Sequence, residues 1–291
     1  GSASFFPFLD EAVAGLNVKH VGEPGFFDVL PEVALPLQTP SPEDVAYIQY
    51  TSGSTRFPRG VVITQKAVTA NLAGIIRHGL CVRPGDRCTS WLPFYHDMGL
   101  VGFLLAPMAS QLSIDYLNTL DFAMRPRLWL ALISKNRATI SYSPTFGYAL
   151  CARRIRPADI EQYDLHSWRI AGIGAEPIRA DILEQFAQIL APAGFNPRAF
   201  VASYGMAECS LAVSFAPFDR GLEIDRINAA LLAESGLAVP MADDASRAET
   251  KELVFCGSAL PGHEIKICDE QGRILAERRC GVLHVRGPSV M

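Results

Sequence analysis

The sequence has no Cys-x-x-Cys pair and no apolar run long enough to cross a bilayer. Its seven cysteines are spread singly along the chain, which argues against a zinc or disulfide framework and favours reduced thiols. The longest apolar stretch, residues 99–109, is about half as long as a membrane-spanning helix of roughly 20 residues. We therefore expect a cytoplasmic protein without a transmembrane segment.

Charge is also scarce. Charged residues make up 19% of the 291 residues, the net charge is −4 and no basic region stands out, so nucleic acid is not an expected partner. Hydrophobic residues make up 49%, enough for a large buried core in one or two domains. Residues 1–4 resemble an expression scar, and the chain stops soon after a predicted strand at residues 281–287, so we expect a protein truncated at both ends.

From residue 45 onward, strand patterns and helix patterns alternate. Short runs of β-branched and aromatic residues predict strands at residues 45–50, 61–64, 87–92, 138–143, 168–173 and 200–204. Apolar periodicity predicts helices at residues 65–78, 98–108, 125–136 and 179–190. This alternation is typical of an α/β fold with a mostly parallel sheet flanked by helices.

Changes in this alternation of strand and helix patterns predict four segments along the chain. Residues 1–44 contain frequent prolines, which indicates an irregular opening segment. Residues 45–216 are predicted to form the α/β subdomain. Residues 217–250 are acidic, rich in alanine and broken by Gly and Pro, which indicates an insertion with one short helix near residues 227–234. Residues 251–291 show only strand and turn patterns and are predicted to begin a small β-barrel subdomain.

A cluster of hydroxyl residues and a glycine directly follows the first predicted strand. Such a loop can point backbone N–H groups and hydroxyls at phosphate oxygens, and two nearby arginines add charged donors. It is not a Walker A loop, because it leads into a strand and lacks Gly-Lys-Ser/Thr at the start of a helix. Spacing alone favours an ordinary Ser/Gly turn. The candidate phosphate-binding residues are Thr51, Ser52, Gly53, Ser54, Thr55, Arg56, Arg59 and Gly60.

Residues 50–61, Tyr-Thr-Ser-Gly-Ser-Thr-Arg-Phe-Pro-Arg-Gly-Val, resemble the signature loop of the adenylate-forming superfamily. That superfamily includes acyl-CoA synthetases, nonribosomal adenylation domains and luciferases. Most members have Gly where this chain has Arg56 and Lys where it has Arg59. Arg56 is similar to the variant in fatty acyl-AMP ligases. The resemblance implies that the loop binds ATP, and it covers about residues 45–291.

Residues 91–100, Trp-Leu-Pro-Phe-Tyr-His-Asp-Met-Gly-Leu, resemble a block of fatty acyl-AMP ligases almost letter for letter. Taken alone, His96 is more often a structural histidine than a catalytic one. The resemblance implies that His96 is catalytic and positions the carboxylate and the acyl phosphate without transferring a proton.

Residues 172–177, Gly-Ile-Gly-Ala-Glu-Pro, lie between a predicted strand and a predicted helix. Open α/β sheets bind ligands at such turns, and an ordinary strand-to-helix turn is the alternative. The resemblance implies that Gly174, Ala175 and Glu176 flank the adenine of the nucleotide.

Residues 203–210, Ser-Tyr-Gly-Met-Ala-Glu-Cys-Ser, resemble the family block Tyr-Gly-x-Thr/Ala-Glu. A tyrosine offers adenine a stacking face, and a carboxylate is a hard oxygen ligand for Mg²⁺. The resemblance implies that Tyr204 stacks on the base and that Glu208 is catalytic and holds the metal. It implies further nucleotide contacts from Gly205, Met206 and Ala207.

Residues 142–150 resemble the segment that lines the acyl tunnel in the family. The resemblance implies that Phe146 and Tyr148 form an apolar wall with Met98, although such residues are more often ordinary core. No acidic residue is evident where an adenylation domain would hold an amino group, which favours a fatty acid over an amino acid.

The resemblance therefore implies a fatty acyl-AMP ligase. ATP and Mg²⁺ would activate a fatty acid to acyl-AMP with release of pyrophosphate, for transfer to an acyl carrier protein or a polyketide or nonribosomal peptide synthetase. A long- or medium-chain acyl-CoA synthetase and a non-catalytic nucleotide- or acyl-binding homologue are the alternatives. In the family, a lysine of the C-terminal domain and a ribose-binding aspartate belong to motifs that would follow Met291. We therefore expect the C-terminal domain to be absent and turnover by this chain to be weak or absent.

Overall fold

The computed structural model describes residues 11, 13–18, 21–22, 24–29, 38–51, 59–242, 246 and 248–291. The chain divides into two compact units, Gly1–Pro40 and Ser41–Met291. In the first unit, a short helix, α1, spans Pro24–Phe27. The second unit contains all the strands of the described residues.

Strands and helices alternate through the second unit. The strands are β1 (Val45–Thr51), β2 (Arg59–Thr64), β3 (Arg87–Ser90), β4 (Ser113–Tyr116), β5 (Ile140–Ser143), β6 (Ile170–Ile173), β7 (Phe200–Gly205), β8 (Ala212–Phe215), β9 (Ile224–Asn228), β10 (Thr250–Val254), β11 (Ser258–Ala259), β12 (Glu264–Cys268) and β13 (Val282–Arg286). The α-helices are α2 (Gln65–Gly74), α3 (Asp97–Leu100), α4 (Ala106–Ser110), α5 (Thr119–Met124), α6 (Arg127–Asn136), α7 (Thr145–Arg154), α8 (Pro157–Ile160), α9 (Ala180–Leu190) and α10 (Ala229–Ser235). Turns of 3₁₀ helix lie at Ala191–Ala193, Pro197–Ala199 and Ala207–Cys209.

Wider, π-helical turns interrupt two stretches that the sequence predicts as continuous helices. One turn, Ile75–Gly79, continues α2, and the other, Val101–Leu105, joins α3 to α4. Turns of this kind are rare and often occur at functional sites, because they redirect the side chains that follow them.

The main sheet has the strand order β11-β8-β7-β6-β5-β3-β4. The strands from β7 to β4 pair in parallel, whereas β8 runs antiparallel to β7 and β11 antiparallel to β8. The predicted α/β class with a mostly parallel sheet is confirmed. Because parallel strands end at the same edge, the segments that follow β5, β6 and β7 come together there.

One face of the main sheet carries an aromatic core. Trp129 of α6, Tyr148 of α7 and Phe186 of α9 are buried against Trp168 and Phe200. Their rings meet mostly edge to face, with centroids 5.3 Å apart for Trp129 and Tyr148 and 5.0 Å apart for Tyr148 and Phe186. Truncating one such ring to alanine typically costs about 3–5 kcal/mol.

A buried ion pair joins the amino ends of the central strands. Arg169 Nε donates to Asp86 Oδ1 at 2.8 Å, Arg169 Nη2 donates to the Leu80 carbonyl at 3.0 Å, and the Thr139 hydroxyl donates to Asp86 at 2.8 Å. Burial alone would raise the pKa of Asp86, but hydrogen bonds from Arg169, the Arg83 amide and Thr139 outweigh it and lower that pKa.

The remaining strands form antiparallel pairs: β1 with β2, β9 with β10, and β12 with β13. The predicted β-barrel part therefore appears as the two-stranded sheet β12–β13, and no closed barrel forms within the described residues. A strand of the predicted insertion, β9, pairs with β10 along its whole length. None of the described helices is both long and apolar enough to cross a membrane.

Candidate active site

The carboxyl ends of β5, β6 and β7 border a cavity of about 410 Å³, here termed the inner cavity. Exposed side chains mark its mouth, where the lining residues are Tyr50, Tyr95, His96 and Tyr204. Apolar side chains that are buried or half-buried form its floor, and they are Ile75, Leu80, Phe103, Leu211 and Phe215. Both π-helical turns contribute to this floor.

His96 stands at the mouth and precedes α3 as its N-cap residue. The Met98 amide lies 2.7 Å from Asp97 Oδ1 and 3.2 Å from His96 Nδ1, so the shorter bond goes to the carboxylate. His96 Nδ1 then donates to Asp97 Oδ1 at 2.8 Å, and this bond raises the pKa of His96 despite the opposing effect of burial. The tautomer, assigned from these bonds, leaves Nε2 for a ligand.

The first strand is tied to the His96 turn by a buried amide. The Gln49 side-chain nitrogen donates to the Tyr95 carbonyl at 3.0 Å and to the Tyr50 carbonyl at 3.2 Å. Close by, the Tyr47 hydroxyl is buried without a hydrogen-bond partner among the described residues. Burial and the nearby Asp97 carboxylate raise the pKa of Tyr47 to about 12, so this phenol stays neutral.

β1 and β2 hold the two ends of the candidate phosphate loop side by side. Thr51 pairs with Arg59 in the strand register, and its hydroxyl lies 3.5 Å from the Arg59 carbonyl. Thr51 also lines the inner cavity, and Gly60 follows Arg59 on β2. The other candidates of this loop lie outside the described residues, and they are Ser52, Gly53, Ser54, Thr55 and Arg56.

The turn after β6 brings the backbone close to β7. A Cβ atom on Gly174 would lie 3.0 Å from the Ser203 hydroxyl oxygen, so glycine is the best fit there. Ala175 has a φ of 70°, a strained conformation for alanine that is common at functional sites. The Glu176 carboxylate accepts the Phe146 amide at 2.7 Å at the start of α7. Glu176 therefore has a structural bond in addition to its predicted contact with the nucleotide.

The hairpin after β7 presents Tyr204 and Glu208. A Cβ on Gly205 would lie 2.1 Å from the Leu211 carbonyl oxygen, so this position requires glycine. The Met206 amide donates to the same carbonyl at 2.8 Å and closes the hairpin. The Tyr204 ring is partly exposed and lines the inner cavity, as does the buried Ala207.

Glu208 is exposed, and within the described residues its carboxylate has no hydrogen bond or ion pair. No group of three or more His, Cys, Asp or Glu side chains in that part of the chain could hold a metal by itself. Mg²⁺ commonly binds through one or two carboxylates, phosphate oxygens and water. The donors present therefore fit Mg²⁺ in combination with a bound nucleotide.

A larger cavity of about 990 Å³, here termed the outer cavity, shares Tyr204 with the inner cavity. Ala175, Ser203, Tyr204 and Gly205 line both cavities. Strand β10 supplies charged side chains to the outer cavity, including Lys251 and Glu252. A molecule bound against Tyr204 would therefore contact both spaces.

The three candidate tunnel residues lie in different places. Met98 is buried and lines the inner cavity. Phe146 is half-exposed on α7 and packs edge to face on Trp91, with ring centroids 5.7 Å apart. Tyr148 belongs to the aromatic core and donates from its hydroxyl to the Gly172 carbonyl at 2.9 Å. Neither Phe146 nor Tyr148 is among the residues that line the cavity.

Sequence reasoning missed most residues of the cavity wall, and the polar ones among them include Gln49, Asp97, Tyr142 and Ser203. Asp97 is an acidic group on this wall, but its carboxylate is occupied by His96 and by the Met98 amide. Its place next to His96 in the motif is a signal that could have identified it. Tyr142 and Ser203 meet only through strand order, which no local pattern reveals.

A family model of AMP-binding enzymes matches residues 10–291. The chain belongs to this family, as its four ordered sequence blocks indicate. Within the family, the likeness to fatty acyl-AMP ligases is confirmed. A structure from a study of fatty acyl-adenylate ligases of E. coli and L. pneumophila matches with a TM-score of 0.93 and 50% identity, over 99% of this chain and 52% of that chain.

Three further proteins with related names are similar to this chain. A putative acyl-CoA synthetase of Caulobacter vibrioides is 49% identical over 90% of this chain and 46% of that protein. A medium-chain-fatty-acid–[acyl-carrier-protein] ligase of Teredinibacter turnerae is 37% identical over 86% of this chain and 38% of that protein. An L. pneumophila fatty acyl-adenylate ligase in complex with acyl adenylate and pyrophosphate matches with a TM-score of 0.81 and 32% identity, over 87% of this chain and 44% of that chain. The chain thus spans about half the length of its relatives, or less.

Proposed function

We propose that the protein activates a fatty acid with ATP and forms acyl-AMP and pyrophosphate. The observation that carries this proposal is the inner cavity, which has polar groups at its mouth and an apolar floor. The mouth suits a carboxylate beside a phosphate, and the floor suits a hydrocarbon chain. The names of the relatives, fatty acyl-adenylate ligase and medium-chain-fatty-acid–[acyl-carrier-protein] ligase, support the same reaction.

In this proposal, the adenine stacks on Tyr204 beside the strained backbone of Ala175. The phosphates lie near Thr51 and the loop that Arg59 and Gly60 close. Glu208 would hold Mg²⁺, which neutralises phosphate charge when it is bound. The exposed, unpaired state of the Glu208 carboxylate supports this role, because no protein partner competes for it within the described residues.

The acid carboxylate attacks the α-phosphorus of ATP, and pyrophosphate leaves. Negative charge accumulates around the phosphorus, so donors placed in advance lower the barrier. His96 Nε2 is such a donor when protonated, and the Asp97 bond favours that form by raising the pKa of His96. We assign His96 the positioning of the carboxylate and the acyl phosphate, since its ring is fixed by Asp97 from the other side.

The cavity favours a fatty acid over an amino acid. Amino-acid-activating sites need an acidic group for the substrate ammonium, and Asp97 is already engaged by His96. The floor offers apolar side chains such as Phe103 and Leu80, which suit an alkyl chain.

The proposed acceptor of the acyl group is an acyl carrier protein, free or within a polyketide or nonribosomal peptide synthetase, in the cytoplasm. The Teredinibacter relative, named for an acyl carrier protein, supports this choice. The Caulobacter relative, named a putative acyl-CoA synthetase, supports the alternative acceptor, CoA. The two are separated by whether CoA or a carrier protein accelerates consumption of acyl-AMP.

Mass spectrometry of the products tests the proposal. The protein at its full natural length is incubated with mixed fatty acids, Mg²⁺ and ATP, and then with CoA or a carrier protein. We expect acyl-AMP in the first step and acyl transfer to the carrier protein in the second. Failure to form acyl-AMP from any acid would contradict the proposal and favour a non-catalytic binding protein.

We also propose that the 291-residue chain alone turns over weakly. Its relatives are about twice as long or longer, and a second half can supply groups that complete an active site. A rate of acid-dependent pyrophosphate release equal to that of the protein at its full natural length would refute this point.

A further inference from the structure

The wall of the inner cavity contains a buried tyrosine hydroxyl without a partner. Tyr142, on β5, is 5% exposed, and its hydroxyl has no hydrogen-bond partner among the described residues. A buried hydroxyl without a partner is unfavourable, so an uncompensated one beside a cavity points to a ligand that completes it. Burial raises the pKa of Tyr142, so the hydroxyl keeps its proton and stays a donor.

The sheet fixes the direction of this side chain. Successive side chains of a strand point to opposite faces, and Ser141 faces the aromatic core, where it accepts from Trp129 Nε1 at 2.8 Å. Tyr142 therefore faces the other side, where its ring lies 5.9 Å from that of Phe103. A Cβ on Gly172, its partner on β6, would lie 2.0 Å from the ring. The ring thus lies across β6 and reaches toward β7.

The hydroxyl of Tyr142 ends beside the hydroxyl of Ser203 on β7. Ser203 donates to the Ile173 carbonyl at 3.1 Å, which commits its own proton. Burial, the larger effect, raises the pKa of Tyr142, whereas the neighbouring Ser203 hydroxyl lowers it. No well-formed hydrogen bond joins the two hydroxyls, and both residues line the inner cavity. We term them the Tyr142–Ser203 pair.

The depth of this pair places it along the substrate chain. His96, at the mouth, has 49% of its side chain exposed, whereas Tyr142 is 5% exposed and touches Phe103 on the floor. Ser203 immediately precedes Tyr204, so the pair is not at the far end of the cavity. These two facts place it between the carboxylate-binding mouth and the apolar floor.

We infer that the acid accepted by this cavity carries an oxygen, as a hydroxyl or keto group, on one of the carbons close to its carboxyl group. Tyr142 is then a specificity-determining residue that donates a hydrogen bond to this oxygen. A substrate hydroxyl could in turn donate to Ser203. The inference rests on the proposed function, because it assumes that the acid enters the inner cavity with its carboxyl group at the mouth.

The test compares decanoate, 3-hydroxydecanoate and 10-hydroxydecanoate as substrates of the protein at its full natural length. We expect kcat/KM for acyl-AMP formation to be about tenfold higher for the 3-hydroxy acid than for decanoate, the size of one well-placed hydrogen bond to a buried group. The 10-hydroxy acid should show no such gain. Tyr142→Phe should abolish the preference, because kcat/KM should fall more for the 3-hydroxy acid than for decanoate.

Tyr163→Phe is the matched control, because it removes the same atom from a residue that does not line the cavity, and it should keep the preference. Ser203→Ala is the second variant and should reduce the preference for the 3-hydroxy acid. It carries the test if Tyr142→Phe does not fold. If Tyr142→Phe lowers kcat/KM equally for all acids, the hydroxyl contacts the substrate carboxylate, and the inference is overturned. Equal use of decanoate and the 3-hydroxy acid by the unaltered protein would also overturn it.

Direct binding separates this inference from the proposed function. Calorimetry with the same acids and variants measures selection without a chemical step. Tighter binding of the 3-hydroxy acid that disappears in Tyr142→Phe would support the inference even if no acyl-AMP forms. Equal affinity for all three acids would overturn the inference. Equal rates of acyl-AMP formation from all three acids would also overturn the inference, but they would leave the proposed function standing.

Discussion

Substitution of the single residue Glu208 should affect the catalytic rate but not the stability of the fold. Its exposed carboxylate supports no hydrogen bond within the described residues, so Glu208→Gln should change the free energy of unfolding by less than about 0.5 kcal/mol. The loss of a metal-binding charge should lower kcat for acyl-AMP formation on the order of 100-fold. Denaturant unfolding and Mg²⁺ titration of the rate measure the two effects.

Glu234→Gln, on the exposed face of α10, is the control for Glu208→Gln and should alter neither quantity. Full activity of Glu208→Gln at ordinary Mg²⁺ concentrations would remove Glu208 from the metal site.

Asp97 should control the titration of His96. The Asp97 bond raises the pKa of His96 above its ordinary value of 6.5, so Asp97→Asn should lower it toward that value. The ion pair stabilises the fold below pH 6.5, and this contribution is lost as pH rises through the raised pKa. Because His96 is half-exposed, we expect less than about 1 kcal/mol. NMR titration from about pH 5 to pH 8 measures the pKa.

Asp164→Asn, in another part of the protein, is the matched control and should leave the pKa of His96 unchanged. A His96 pKa that does not move in Asp97→Asn would show that the pair does not form in solution.

Single residues differ in how far the sequence could predict them. His96, Tyr204 and Glu208 stand in ordered blocks, so their place at the sheet edge follows from the motif order. Tyr142 and Tyr148 are six positions apart and both aromatic, yet they point to opposite faces of the sheet. The change from β5 to α7 between them decides which one reaches the cavity, and composition does not encode that choice.

At the level of elements, the π-helical turn Val101–Leu105 borders the space proposed for the acyl chain. A Cβ on Gly102 would lie 3.4 Å from Leu211, an ordinary contact, so Gly102→Ala should fold normally. Gly102→Leu would extend into the inner cavity, which Gly102 lines. We expect kcat/KM for decanoate to fall about tenfold or more, with a smaller loss for butyrate. Acyl-AMP assays across chain lengths measure this.

Gly99→Ala is the contrasting change in the same segment. Its Cβ would lie 2.2 Å from the Pro93 carbonyl oxygen, so we expect a loss of about 1–3 kcal/mol in unfolding free energy without a chain-length effect. In Gly102→Leu, an equal loss of kcat/KM for every acid would mean that the π-helical turn does not border the acyl chain of the substrate.

Elements with strong local patterns were predicted well. The strand predicted at residues 45–50 and the helix predicted at residues 179–190 appear as β1 and α9. The π-helical turns were not foreseen, because Ile75 and Phe103 fit an α-helical pattern as well as a wider one. Strand β8 was missed because its four residues, Ala-Val-Ser-Phe, carry too short a pattern and become a strand by pairing with β7.

Across the second unit as a whole, the Asp86–Arg169 pair links segments far apart in the chain. Asp86 is almost fully buried, so Asp86→Ala leaves Arg169 without its partner and should cost about 3 kcal/mol or more. The lowered pKa of Asp86 means that its contribution is present above its ordinary value of 3.8 and is lost as pH falls through the native pKa. Denaturant unfolding at neutral and acid pH measures both effects.

Asp181→Ala breaks the exposed Arg179–Asp181 pair and should cost less than about 1 kcal/mol, which makes it the matched control. Equal effects of Asp86→Ala and Asp181→Ala would show that the buried pair does not hold the strands together.

The last residues of the chain offer an optical readout of the Glu208 hairpin. The Met291 amide donates to the Glu208 carbonyl at 3.2 Å, and the Ser210 hydroxyl donates to the Ser289 carbonyl at 3.3 Å. A fluorescent dye attached at position 291 would therefore sit against the backbone of the proposed metal ligand. Its emission would record nucleotide and Mg²⁺ arrival in real time, without any label inside the cavity.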